Sequence, residues 1–222
     1  MPKNLALPHK IIALPNADKG FHESTDKLHR DRADFAHPFR AALVGAPNVG
    51  KSTLAMNIIL HQTPPFERVI VWHCDTSTKE YDAVDDVEIV PVCPQMEDFD
   101  PEQKTLCIID DVALKGLDKK ERMRCDRLCG SWSTHRSVSV IISSQAPNQL
   151  PAGIRRMMNI FVLWRSTDLQ SLNDVAMKAG IEKADLKGLL NLLEGPRDSL
   201  CIDLSGSPYL YRRNVFEDIQ RA

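Results

Sequence analysis

No run of about 18 uncharged apolar residues occurs in the 222-residue chain, so no segment reads as a membrane-spanning helix and no membrane insertion is expected. The opening stretch "MPKNLALPHKIIALPNADKG" is basic but lacks a sustained apolar centre, so a secretory signal is not expected either. No CxxC pair is present among the six cysteines (Cys74, Cys93, Cys107, Cys125, Cys129, Cys201). That spacing argues against a zinc site or a disulfide framework and for free thiols in a reducing compartment. A dominant charge is missing as well: the formal net charge is −2, so any polyanion would have to be met by a local patch and not by the field of the whole chain.

Ordinary globular content is what remains. Apolar residues make up 43 % and charged residues 26 %, enough to bury one α/β domain. Residues 1–37 are polar and irregular, with Pro2, Pro8 and Pro15, and read as an N-terminal arm; 38–222 read as the folded domain. Apolar runs predict strands over 39–45, 68–75, 87–92, 105–111, 137–145 and 159–165. Helices are predicted over 51–62 and 118–135, and two more over 166–180 and 182–195, each closed by a glycine. The segments "SLCIDLS" and "YLYRRNV", joined by "GSP", predict a C-terminal β-hairpin. Strands alternating with helices imply an α/β fold with a mostly parallel central sheet flanked by helices. Charge is segregated along it: 75–111 carry twelve acids and two bases, whereas 113–136 carry seven bases and three acids.

One motif stands out. "GAPNVGKST" follows a predicted strand and opens a predicted helix, and Gly45-x4-Gly50-Lys51-Ser52 has the spacing of a phosphate-binding P-loop. In such a loop the backbone N–H groups of Gly45, Ala46, Pro47, Asn48, Val49, Gly50, Lys51, Ser52 and Thr53 (the proline excepted) wrap phosphate oxygens, and the helix N-terminus adds partial positive charge. Lys51 would reach the β/γ-phosphates of ATP and the Ser52 hydroxyl would coordinate Mg²⁺. "LCIIDD" has the form of a Walker B strand, with Asp110 orienting the metal shell and Asp111 polarising the attacking water. The next strand ends on Gln145, whose amide would lie near the γ-phosphate.

The motif "GAPNVGKS" also looks like the first motif of a small GTPase, but the partners of that motif are missing. "DDVAL" offers no glycine for a DxxG, "DLSG" comes only at 203–206, and the nearest approach to NKxD is "EKAD" at 182–185. An ATP-driven machine accounts for more of the chain. The segments "HPFRAALVG", "GAPNVGKSTL", "LCIIDD" and "STHRSVSVIISSQAPNQLPAGIRRMMNIFVLWRS" together resemble the FtsK–HerA class of DNA-pumping ATPases, and within it the poxvirus-type packaging ATPases of large DNA viruses. The resemblance spans about 37–175.

It implies a RecA-like core, a terminal hairpin, a homo-oligomeric ring (pentamer or hexamer), and double-stranded DNA threaded through the ring without regard to sequence. It further implies a capsid or portal-vertex protein as docking partner, and a location in the virion or the host-cell cytoplasm. Two departures from the class are visible. Asp111 stands where many relatives carry Glu, and Thr134 precedes His135 where relatives carry an Arg. Arg136, then Arg156, are the candidates for an arginine acting on a neighbour's ATP. A plasmid or cellular DNA pump and a GTPase-like switch remain open as alternatives. The missing guanine-reading motif predicts that GTP competes with ATP without preference; a competition-binding titration showing strong GTP selectivity would revive the switch.

Overall fold

The computed structural model describes residues 35–62, 64–165, 172–205 and 209–219. Nine strands form one sheet: β1 (Arg40–Val44), β2 (Arg68–Trp72), β3 (Val87–Val90), β4 (Thr105–Ile109), β5 (Val138–Ser144), β6 (Ile160–Trp164), β7 (Ser199–Asp203), β8 (Leu210–Arg213) and β9 (Glu217–Asp218). Their spatial order is β3-β2-β4-β5-β1-β6-β7-β8-β9. The first six run parallel and the last three are added antiparallel. The mostly parallel sheet is therefore present. β7 and β8 are the two arms of the expected hairpin, whose turn at 206–208 lies outside the described residues, and β9 extends it by a third strand.

The parallel strands are apolar runs because both faces are covered. Alternate residues supply two separate cores. Ala42, Ile70, Cys107, Val140 and Phe161 point to one face, where they meet α2 (Lys119–Arg127), α3 (Ala152–Met157), α4 (Asn173–Lys178) and α5 (Lys183–Asn191) through Cys125, Ile154, Val175 and Leu186. Ala41, Leu43, Val71, Ile108 and Ile141 point to the other, where α1 (Lys51–His61) lays down Leu54, Met56 and Ile58. Most of the segment expected as an arm lies outside the described residues. Its last part packs: Phe35 is buried, with its ring 5.1 Å from that of Phe39.

Two expected helices differ in detail. The helix read over 118–135 starts as expected, with Asp118 capping it by accepting from the N–H groups of Lys120 and Glu121. It then breaks into a wide turn at Leu128–Trp132, where Gly130 takes the non-helical angles φ −103, ψ −105. α3 comes close here: a Cβ on Gly130 would sit 3.1 Å from the Met157 sulfur. The helix read over 182–195 ends at Asn191, before its glycine. Gly195 instead belongs to a turn in which it and Glu194 donate their N–H groups to the Asp198 carboxylate. Of the helix read over 166–180, the part up to 171 lies outside the described residues; the rest is α4, and Gly180, at φ 63, ends that segment as expected.

Gly45 follows β1 directly, and its N–H continues the ladder to the Ser144 carbonyl at 3.0 Å. A Cβ here would lie 2.9 Å from Val49 Cγ2 and 3.0 Å from Trp164 Cβ. Gly45→Ala is therefore expected to cost about 1–3 kcal/mol in urea denaturation, the usual penalty for overpacking.

Candidate nucleotide-binding site

Strand order decides which side chains meet. β5 lies between β1 and β4, so the carboxyl ends of three adjacent strands place Gly45, Gln145 and Asp110 along one edge of the sheet. A cleft of about 1060 Å³ opens there, lined by Pro47 to Thr53, Asp110, Asp111 and Gln145. Crevices beyond the carboxyl ends of parallel strands are where open α/β sheets bind ligands.

The loop 45–50 turns tightly, with Asn48 at φ 62 and Gly50 at φ 107, both left-handed. Glycine takes that conformation without the Cβ penalty. α1 then starts at Lys51 with no side chain capping it. Its first N–H groups, which have no intrahelical partner, face the cleft as anion donors. The Lys51 ammonium donates to the carbonyls of Gly45 and Ala46, each at 2.9 Å. Partial burial pulls its pKa below the usual lysine value, opposed by the nearby carboxylates of Asp110, Glu80 and Asp111. The lysine thus stands folded over the loop with carboxylates around it, and phosphate oxygens can take over its donors.

Asp110 is 5 % exposed, and its carboxylate is solvated by the protein. Oδ2 accepts from the Ser52 hydroxyl at 3.2 Å and the Tyr81 hydroxyl at 2.7 Å; Oδ1 accepts from the Asp111 N–H at 3.1 Å. A serine whose proton goes to a carboxylate keeps its oxygen lone pairs for a cation. Hard oxygen donors beside a phosphate site suit Mg²⁺, which takes one or two protein ligands and fills the rest of its shell with phosphate and water. Ser52 and Asp110 therefore fit the metal role read from the motif, although among the described residues no group of three or more His, Cys, Asp or Glu forms a metal cage. Asp111 is held at φ 52, outside the regions that non-glycine residues favour. Its exposed residue faces the cleft, while its carbonyl accepts from the Cys74 thiol at 3.3 Å.

Gln145 lines the same cleft, and its N–H donates to the Gln149 side chain at 3.2 Å. Arg136 and Arg156 do not line it. Arg136 lies just before the amino end of β5 and the cleft beyond its carboxyl end, with the strand itself, about 20 Å at 3.3 Å per residue, between them. Thr134, close by, accepts from Arg40 Nη2 at 2.7 Å. Arg156 is exposed near the end of α3, whereas its neighbour Arg155 is tied to Asp174 at 2.6 Å.

Sequence reasoning missed several residues of the cleft. Arg197, Asp198, Arg213, Asn214 and Glu217 come from the C-terminal strands and the turns beside them, and Trp164 from the end of β6. Asp198 ties this wall together, accepting from Arg213 at 2.7 Å and from Asn214 at 3.1 Å. Two arginines of the same chain thus reach the cleft, where none was expected. Glu80 and Tyr81 were hidden in the acidic run after β2. Burial, and then the Asp110 charge, raise the Tyr81 pKa well above that of an ordinary phenol, so it keeps its proton and donates at neutral pH.

No protein-family model matches the chain, and no curated protein matches it. Solved structures do. The genome-packaging NTPase B204 of Sulfolobus turreted icosahedral virus 2, in complex with ATP-gammaS, aligns with TM-score 0.58 at 14 % identity, covering 82 % of this chain and 98 % of its own. B204 of Sulfolobus turreted icosahedral virus, described as the DNA-packaging ATPase, aligns with TM-score 0.57 at 13 % identity, over 84 % and 100 %. The pCW3 conjugation coupling protein TcpA aligns with TM-score 0.52 at 13 % identity, over 82 % and 60 %. At these identities the likeness is one of fold. Lys51→Ala is expected to leave the melting temperature within a few degrees and abolish binding of a fluorescent ATP analogue. Asp111→Asn should bind that analogue with Mg²⁺ normally yet hydrolyse ATP at under a tenth of the wild-type rate, by phosphate-release assay.

Proposed function

We propose that the chain is an ATP hydrolase that moves double-stranded DNA, and that its cargo is a viral genome entering a capsid. The observation that carries the hydrolase reading is the hydrogen bond from Ser52 of the P-loop to Asp110 at the end of β4, across the intervening β5. It joins the two motifs at one point of the cleft, where a metal–phosphate complex belongs. The DNA reading rests on the fold shared with B204 and with TcpA, one described as a packaging ATPase and the other as a conjugation coupling protein.

In this reading the loop N–H groups and Lys51 neutralise the phosphates, and Ser52 with Asp110 orients the metal shell. Ser52 and Asp110 would hold Mg²⁺ beside the phosphates, where it would supply positive charge against theirs. Asp111 accepts the proton of the attacking water, and Gln145 orients that water. Neither Arg136 nor Arg156 lines the cleft of its own chain, so in this reading either acts on a neighbour in a ring of five or six copies. Arg197, exposed at the cleft, is a charge available in cis, whereas Arg213 is paired with Asp198. DNA is held through its backbone by the basic stretch that follows the Walker B strand, where Lys119 and Lys120 are exposed on the first turn of α2. The ring docks on a capsid or portal-vertex protein in the virion or the host cytoplasm. A plasmid DNA pump is the second reading, favoured by the likeness to TcpA.

An ATPase assay with and without duplex DNA tests the proposal. Turnover is expected to rise with DNA and with protein concentration; full activity in a monomer indifferent to DNA would overturn translocation. Reversing Lys119 and Lys120 to Glu should weaken DNA stimulation and flatten its salt dependence while basal hydrolysis stays near wild type. Mixing Lys51→Ala with Arg136→Ala protein should restore part of the rate, since each variant damages a different half of a shared site.

A further inference from the structure

Tyr81 carries no role in any motif read from the sequence, yet it touches the centre of the site. It lies between β2 and β3 in the acidic run, 1 % exposed, with its ring packed on the α1 face of the sheet beside Val84 and Val87. A phenol this deep needs a partner for its hydroxyl, and it finds Asp110 Oδ2 at 2.7 Å. The same oxygen takes the Ser52 hydroxyl at 3.2 Å. The backbone around it is wound into turns, with the Val84 N–H donating to the Tyr81 carbonyl at 3.0 Å and the Asp82 N–H to that of Lys79 at 3.3 Å. The preceding residue, Glu80, lines the cleft.

We infer that Tyr81 is a positioning residue: its hydroxyl fixes the rotamer of Asp110 for the metal shell, and the same bond fastens the 74–86 loop, with Glu80, to the nucleotide site. The inference rests on the reading of the cleft as a Mg²⁺–nucleotide site. Three observations carry it. Tyr81 makes the shorter of the two side-chain bonds to Oδ2, so it sets the plane of the carboxylate more firmly than Ser52 does. The Ser52 oxygen must turn its lone pairs to a cation while it donates to Asp110, so a second, independent donor is needed to hold the carboxylate as the metal arrives. Finally, the ring is immobilised by the core, which makes the hydroxyl a fixed point and not an adaptable one. Partners that orient metal-shell groups in this way typically contribute about 10–100-fold to metal affinity or activity.

The test uses Tyr81→Phe, which keeps the ring and deletes only the hydroxyl. Binding of a fluorescent ATP analogue is titrated against Mg²⁺, and again in EDTA. The expected result is a rise of about tenfold in the Mg²⁺ concentration for half-saturation, with the EDTA affinity within twofold of wild type. A purely packing role would leave the Mg²⁺ requirement unmoved, and that result overturns the inference. Should the variant fail to fold, hydrogen exchange on the wild-type protein decides: Mg²⁺ with nucleotide should slow exchange of amides 78–84 more than nucleotide in EDTA does, and equal rates overturn it. A wild-type protein that binds no Mg²⁺–nucleotide would instead remove the parent reading, an outcome distinct from a wild type that binds and a variant that matches it.

Discussion

A carboxylate at the end of a fully buried strand has to be solvated by protein groups, and Asp110 sets that demand at the centre of this molecule. Removing a carboxylate from water without partners costs several kcal/mol. Here three donors arrive from three parts of the chain: Ser52 from the first turn of α1, Tyr81 from the loop after β2, and the N–H of Asp111. Each donor brings its own element to the cleft. Ser52 fixes the start of α1 and hence the P-loop; Tyr81 fixes the acidic loop; the Asp111 N–H holds the chain in the left-handed conformation that exposes its carboxylate. The site is assembled around one buried charge, and its geometry follows from neutralising it.

The sheet supplies the frame for that arrangement. Parallel strands point their carboxyl ends the same way, so residues far apart in sequence share one edge. Inserting β5 between β1 and β4 separates the phosphate loop from the Walker B aspartate by one strand, about 10 Å at 4.8 Å per strand step. That gap is closed by a serine and a carboxylate reaching toward each other, and the space above β5 is left to Gln145. The antiparallel strands then add the opposite wall. β7 and β8 carry Asp198, Arg213 and Asn214 to the cleft, while Trp164 packs against Gly45 and donates its indole N–H to the Arg197 carbonyl at 3.1 Å. The C-terminal segment is therefore part of the cleft wall as well as the end of the sheet.

The distribution of arginines bears on assembly. Arg136 sits at the amino edge of the sheet, the nucleotide cleft at the carboxyl edge. In the ring proposed above, a residue on one edge would meet the cleft on the other edge of a neighbour, as head-to-tail contacts in a closed ring allow. Arg213 is different. It is held by Asp198 and stands 4.0 Å from Glu217, so its charge is matched within its own chain.

Local rules determined much of this protein from the letters alone. A run such as "LCIID" reads as a buried parallel strand because every position is apolar until the last, and Gly45-x4-Gly50-Lys51-Ser52 reads as a phosphate loop because glycines and a helix start are needed at those spacings. The hairpin of β7 and β8 was legible for the same reason, as two β-favouring runs around a turn. What the letters did not hold was distance between elements remote in sequence. Nothing local marks Tyr81 as the partner of Asp110, 29 residues away, because a tyrosine in an acidic loop looks like any other until the core closes over its ring. Nothing local brings Arg213 and Asp198 to the cleft, since that depends on β7 pairing antiparallel to β6. The helix broken at Gly130 belongs here too: its periodicity ran on past a glycine that the letters alone did not mark as a turn. Sequence determined which groups could bind phosphate and metal; packing of the sheet decided which of the remaining side chains stand around them.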